Sequence, residues 1–117
     1  MLKKFFMAAI VGMIICAGVK AEAENVFVGK SDATDLVCYI MTETIKIHRE
    51  GDMFVSTATL EMSKLDGIRY YLDYTFYDYR GTGADVRFEN SQGYSGEVDP
   101  RDTPIEWGMY EVIRKRY

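Results

Sequence analysis

The chain has 117 residues, 48% of them hydrophobic and 27% charged, with a formal charge of −4, two cysteines and one histidine. That length suits one domain with its own core. The acidic balance offers no electrostatic route to nucleic acid or anionic lipid, and the histidine and cysteine counts exclude two-histidine and paired-cysteine zinc motifs.

The first segment reads as an address. Lys3 and Lys4 precede an apolar run from Phe5 to Val19, followed by the overlapping small-x-small sites Val19-Lys20-Ala21 and Ala21-Glu22-Ala23. This is the order of a secretory signal peptide. The run is shorter than the roughly 20 residues of a membrane-spanning helix, which argues against an uncleaved anchor. Lipoprotein processing at Cys16 would want a small residue before the cysteine, and Met13-Ile14-Ile15 supplies none. The expectation is a cleaved bacterial signal peptide over residues 1–23, with maturation before Glu22 or Glu24. A single exported domain over 24–117 would then be periplasmic, at the cell surface or extracellular, with no stable membrane span. Cleavage after Ala23 removes three lysines and one glutamate, takes the charge to −6 and leaves Cys38 without a partner for an internal disulfide. Apolar neighbours Leu36, Val37, Tyr39 and Ile40 make Cys38 a buried, inert thiol, and no nearby basic residue lowers its pKa.

Short segments of period two follow. Residues 24–30 form an edge-type strand, 31–35 a polar loop and 36–40 a second strand. Met41-Thr42-Glu43 breaks that strand, and 44–49 resumes it with Ile45 and Ile47 on one face. Glu50-Gly51-Asp52 is a hairpin turn. In the next strand, 53–62, Phe54, Ala58, Leu60 and Met62 share one face, opposite Thr57, Thr59 and Glu61. After the turn Lys64-Leu65-Asp66-Gly67 comes an aromatic strand over 68–79. Its core face carries Tyr70, Leu72, Tyr74 and Phe76; its outer face carries Arg69, Tyr71, Asp73, Thr75, Tyr77 and Tyr79. Residues 84–89 alternate Ala84, Val86 and Phe88 inward with Asp85, Arg87 and Glu89 outward. The glycine-containing loop 90–102 is long enough to hold a short strand near 94–98. Thr103-Pro104-Ile105-Glu106 then combines an N-cap Thr, a first-turn Pro and a Glu at the third position, a capping box that starts a helix. Ile105, Met109, Val112, Ile113 and Tyr117 fall on one side of it, and Arg114, Lys115 and Arg116 suit its C-terminal dipole. The fold class is α+β: an antiparallel, curved, half-barrel-like sheet of five or six strands covered by one C-terminal helix.

Catalytic signals are thin. His48 lies beside a turn and is the only imidazole available to serve as a base for a nucleophile. Gly81-Thr82-Gly83 lacks the third glycine of a dinucleotide loop. Glu97, Asp99 and Asp102 could ligate Ca²⁺, but their spacing is not that of an EF-hand, and Asp102 could simply favour the helix N-terminus. No catalytic, cofactor-binding or metal-ligating set is assigned. The outer tyrosines are the exception, because tyrosine is enriched at interfaces: the ring is large and the hydroxyl stays wet. Packing alone could also place them there, since aromatic residues favour strands. The candidate binding face is Tyr71, Asp73, Tyr77 and Tyr79.

Tyr39, Thr44-Ile45, the turn Glu50-Gly51-Asp52, the strand from Met53 to Met62, the aromatic stretch from Tyr74 to Tyr79 and Trp107 together resemble the surface-adhesin E family of small exported bacterial proteins. Ile40 stands where that family's pattern has an aspartate, and its cysteine pair is missing here. The resemblance implies a signal peptide, a curved antiparallel sheet with a C-terminal helix on its concave side, and cell-surface binding to host matrix or serum proteins; it transfers no binding residue. The functional expectation is a non-catalytic binding module, adhesin-like, engaging a host or extracellular protein or glycan. The alternative is a periplasmic or secreted protein with a small ligand, an inhibitory role or a minor hydrolytic one.

Overall fold

The computed structural model describes residues 25–31 and 35–117. The signal-peptide reading falls on residues 1–23 and so lies outside the described residues. Six strands run in chain order: β1 (Asn25–Ser31), β2 (Leu36–Glu50), β3 (Met53–Ser63), β4 (Arg69–Tyr79), β5 (Val86–Asn90) and β6 (Ser95–Glu97), followed by helix α1 (Pro104–Arg114). Each strand pairs antiparallel with its sequence neighbour, so the sheet is a meander in the order β1-β2-β3-β4-β5-β6 that curls into a half-barrel. The α+β class is therefore observed, with the short strand expected inside loop 90–102 appearing as β6.

Alternation decides the two faces. Cys38, Ile40, Ala58, Leu60, Tyr74, Phe76, Val86 and Phe88 point inward and meet Met109, Tyr110 and Ile113 of α1 in one core. The rings of Tyr74, Phe76 and Phe88 lie 5.8–6.5 Å apart at its centre. Two glycines let helix and edge strand close up. A Cβ on Gly108 would come within 2.9 Å of the Val28 carbonyl oxygen, and one on Gly29 within 2.7 Å of Ile105 Cδ1.

Several expectations need correction. Met41-Thr42-Glu43 does not end a strand. β2 is continuous over Leu36–Glu50, but its register jumps from Met41↔Thr59 to Lys46↔Thr57, so that residues 42–45 stand opposite Ala58 alone. The Thr44 hydroxyl sustains this bulge by donating to the Met41 carbonyl (2.6 Å) and accepting from the Thr59 N–H (2.8 Å), in effect replacing a ladder partner. The bulge also flips the parity of β2. Even-numbered residues face inward before it, and Ile45 and Ile47 pack on the core after it.

The capping box does not form. Thr103 is the N-cap residue and Pro104 follows it, but no side-chain cap is made. The Thr103 hydroxyl is held by the preceding loop, donating to the Glu97 carbonyl (2.8 Å) and accepting from the Asp99 N–H (2.8 Å). Glu106 turns into the core instead of back to the cap. Three further side chains depart from the expectation: Tyr70, expected on the core face, is exposed; Ala84, expected inward, is exposed and precedes β5; and Tyr117 follows the helix rather than belonging to it.

Candidate functional site

Two polar clusters are built into the inner face. Tyr74 donates a 2.7 Å hydrogen bond to Glu106 Oε2, joining β4 to α1. Further along β4, Asp78 is 0% exposed and has no basic ion-pair partner among the described residues. It accepts from the Tyr110 hydroxyl (2.6 Å), the Tyr117 hydroxyl (2.9 Å) and the Gly83 N–H (3.1 Å). Those donors supply what a buried carboxylate requires. Burial, then the bond to a carboxylate, pushes the hydroxyls of Tyr74, Tyr110 and Tyr117 above the usual tyrosine range. Phe54 is sandwiched beside this cluster, with the Tyr117 ring 4.6 Å away and the Arg49 guanidinium 4.9 Å from its centroid. Both clusters tie helix to sheet; Tyr74, Glu106, Asp78 and Tyr110 are buried, and the Tyr117 ring is exposed at the edge.

The sequence could have shown one of them. Asp78 has the parity of Leu72, Tyr74 and Phe76 on β4, and a charged residue at a core position is a signal in itself. Glu106 was hidden by the capping-box reading.

The outer face is different. Of the candidate binding residues, Tyr71, Asp73 and Tyr79 are exposed and Tyr77 is half-buried, all in line on the outer side of β4. Neighbouring strands hold the tyrosine hydroxyls: Tyr71 donates to Glu61 Oε2 (3.3 Å), and Tyr77 to Glu89 Oε2 (3.0 Å). The Glu89 carboxylate beside it, more than burial, raises the Tyr77 hydroxyl. Tyr79 lies under the Arg80 guanidinium at 5.2 Å.

At the Tyr71 end, Phe27, Tyr39, Glu61 and Tyr71 form one row across β1 to β4. Phe27 is 59% exposed and Tyr71 54%, whereas Glu61 is only 8% exposed, held by Asn25 Nδ2 at 2.7 Å with the Arg69 side chain 3.7 Å away. Sequence parity placed Glu61 on this face but could not show that its neighbours bury it.

The candidate tyrosines are not one continuous patch. Between Tyr71 and Tyr77 the surface sinks into a trough of about 500 Å³, lined by Glu43, Thr44, Lys46, Thr57, Thr59, Asp73 and Thr75 above the backbone of Ala58 and Tyr74. It lies beside the β2 bulge. Thr59 Oγ1 donates to Asp73 Oδ1 across it (2.9 Å).

The residues considered for chemistry do not converge. His48 is exposed and meets Glu50 Oε2 at 2.8 Å. Cys38 is buried, and burial together with the nearby Glu106 charge pushes its thiol above the usual range, opposite to what a nucleophile needs. Asp99 is spent on its own loop, where bonds from the Asp102 and then the Arg101 N–H groups hold its carboxyl below the usual range. Asp99 thus organises the loop that leads into the helix. Among the described residues no group of three or more His, Cys, Asp or Glu side chains could hold a metal ion, and no helix is long and apolar enough to cross a membrane.

No family model matches this chain, and comparison with curated proteins and with solved structures finds no match.

Proposed function

We propose that this protein is an exported, non-catalytic binding module, adhesin-like in its use of one sheet face, which engages an extracellular or host partner through the outer side of β4. One observation carries this reading: the outer rings reach solvent, Tyr71 exposed and Tyr77 half-buried, yet their hydroxyls are tied down by carboxylates of neighbouring strands, Tyr71 by Glu61 and Tyr77 by Glu89. A ring fixed before binding loses little freedom when a partner covers it, and that saving appears as affinity. The inner face cannot serve, because α1 already covers it. The non-catalytic half of the reading draws support from the buried, raised thiol of Cys38 and the surface pairing of His48. Export rests on the leader-like residues 1–23, and the adhesin-like label on the resemblance to the surface-adhesin E family.

The test is a binding screen of the purified chain against immobilised matrix proteins, serum proteins and glycans, with the Tyr71→Ala/Tyr77→Ala double variant beside it. Saturable binding to a panel member that the double variant loses, while keeping its fold by circular dichroism, supports the reading. Binding that is unchanged in a folded double variant would remove it.

A further inference from the structure

The trough between Tyr71 and Tyr77 has features that packing does not require. β2 is the longest strand, and the bulge that disrupts its pairing lies mid-strand beside this depression. Bulges recur where a strand must re-aim side chains next to a site. Here the shift turns Glu43 and Lys46 toward the same hollow as the β3 and β4 residues. Thr57 and Thr75 face each other across β3 and β4, and neither hydroxyl bonds another described residue. Lys46 forms no ion pair among the described residues.

We propose that this trough binds a neutral oligosaccharide chain, an inference that rests on the outer-face reading above and names its ligand class. The lining selects for it. Threonine hydroxyls both donate and accept, Asp73 and Glu43 accept, and Lys46 donates, which together match a ligand that presents many hydroxyls of both roles. The volume, about 500 Å³, falls within the range of small-ligand sites. An apolar ligand would meet hydroxyls and charges on every wall. A polyanion would meet Glu43 and Asp73 against the single Lys46 of the lining. The trough is open and flanked along β4 by a ring at each end, Tyr71 and Tyr77, about 20 Å apart at roughly 3.3 Å per residue. A linear chain of sugar rings spans such a distance and offers its apolar ring faces to the tyrosines, while its hydroxyls meet the threonines between them.

The test is titration calorimetry of the purified full chain with two neutral probes, a β1,4-linked N-acetylglucosamine tetrasaccharide and an α1,4-linked glucose tetrasaccharide. A lysine-rich peptide and heparin are run as competing classes. The expected result is saturable binding of at least one tetrasaccharide, weakened tenfold or more by Thr57→Val/Thr75→Val, which keeps the shape and removes both hydroxyls. Asp73→Asn provides a second variant that should weaken binding even if the first is poorly folded. Absence of tetrasaccharide binding up to millimolar concentration overturns the proposal, as does binding untouched by the folded Thr57→Val/Thr75→Val and Asp73→Asn variants. Preference for the peptide or for heparin also overturns it. A protein partner lost on Tyr71→Ala/Tyr77→Ala without any sugar binding would overturn the trough assignment and leave the outer-face reading standing; with neither sugar nor protein bound, both fall.

Discussion

At the scale of single residues, the two sides of β4 should respond very differently to truncation. Phe76 is fully buried between Tyr74 and Phe88, and Phe76→Ala should cost about 3–5 kcal/mol in a denaturant titration, the range for deleting a core aromatic. Tyr71→Ala with Tyr77→Ala removes rings whose hydroxyls meet outer-face carboxylates, and should cost only about 1–2 kcal/mol. Similar losses on both sides would mean that the outer face is also core. Ser56 offers a change of opposite sign. Its Oγ is buried on the inner face beside the Tyr117 hydroxyl, which donates to Asp78, and it makes no hydrogen bond of good geometry itself, a state that costs about 1–3 kcal/mol of desolvation. Ser56→Ala should therefore be neutral or stabilising by about 1 kcal/mol, and a clear loss of stability would show that the hydroxyl has a partner in solution.

At the scale of elements, the seam between β1 and α1 depends on Gly108. Alanine there would gain about 1 kcal/mol of helix propensity. Its Cβ, however, would lie 2.9 Å from the Val28 carbonyl oxygen, a backbone atom that cannot swing away. Overpacking of this kind costs about 1–3 kcal/mol, so the steric term wins and Gly108→Ala should lower the thermal midpoint; a rise would show that helix and edge strand do not approach this closely. Which elements exist was largely legible in the sequence, because strand and helix periods are carried by side chains that meet only the core or only water. Alternation sorted β4 from Tyr71 to Tyr77, whereas Tyr70, expected on the core face, lies exposed at the strand end under the Lys64 ammonium, and Asp78 had no expected face. Legibility failed where a side chain had two partners of similar chemistry to choose from. Thr103 could cap its helix or hold its loop, and it holds the loop; Glu106 could complete the box or accept from Tyr74, and it takes the buried partner. Thr44 looked like part of a strand break, and nothing local reveals that its hydroxyl stands in for a backbone group and keeps β2 whole. The trough escaped notice for the same reason, since it exists only because that bulge exists.

At the scale of the whole molecule, the helix is joined to the sheet by apolar burial and by tyrosine–carboxylate bonds, and those bonds give the fold a sensitivity to alkali. Tyr74 and Tyr110 dock α1, and Tyr117 docks the segment after it, each by donating a hydrogen bond to a carboxylate on the other element. Burial and these bonds raise all three hydroxyls above the unfolded value of about 10. The native state therefore holds protons that the unfolded chain releases first. Their contribution to stability is fully present below pH about 10 and falls as pH rises from there toward the folded values. Ionisation would also place a phenolate against Glu106 or Asp78 in the interior. The expected outcome is a cooperative alkaline unfolding in which Tyr74, Tyr110 and Tyr117 ionise together with the loss of circular dichroism. Tyr110→Phe keeps the ring but takes one donor from Asp78, so it should lower stability at neutral pH and flatten its decline above pH 10. If Tyr74, Tyr110 and Tyr117 ionised while the sheet signal persisted, their hydroxyls would not be engaged as described and the helix would be held by its apolar face alone.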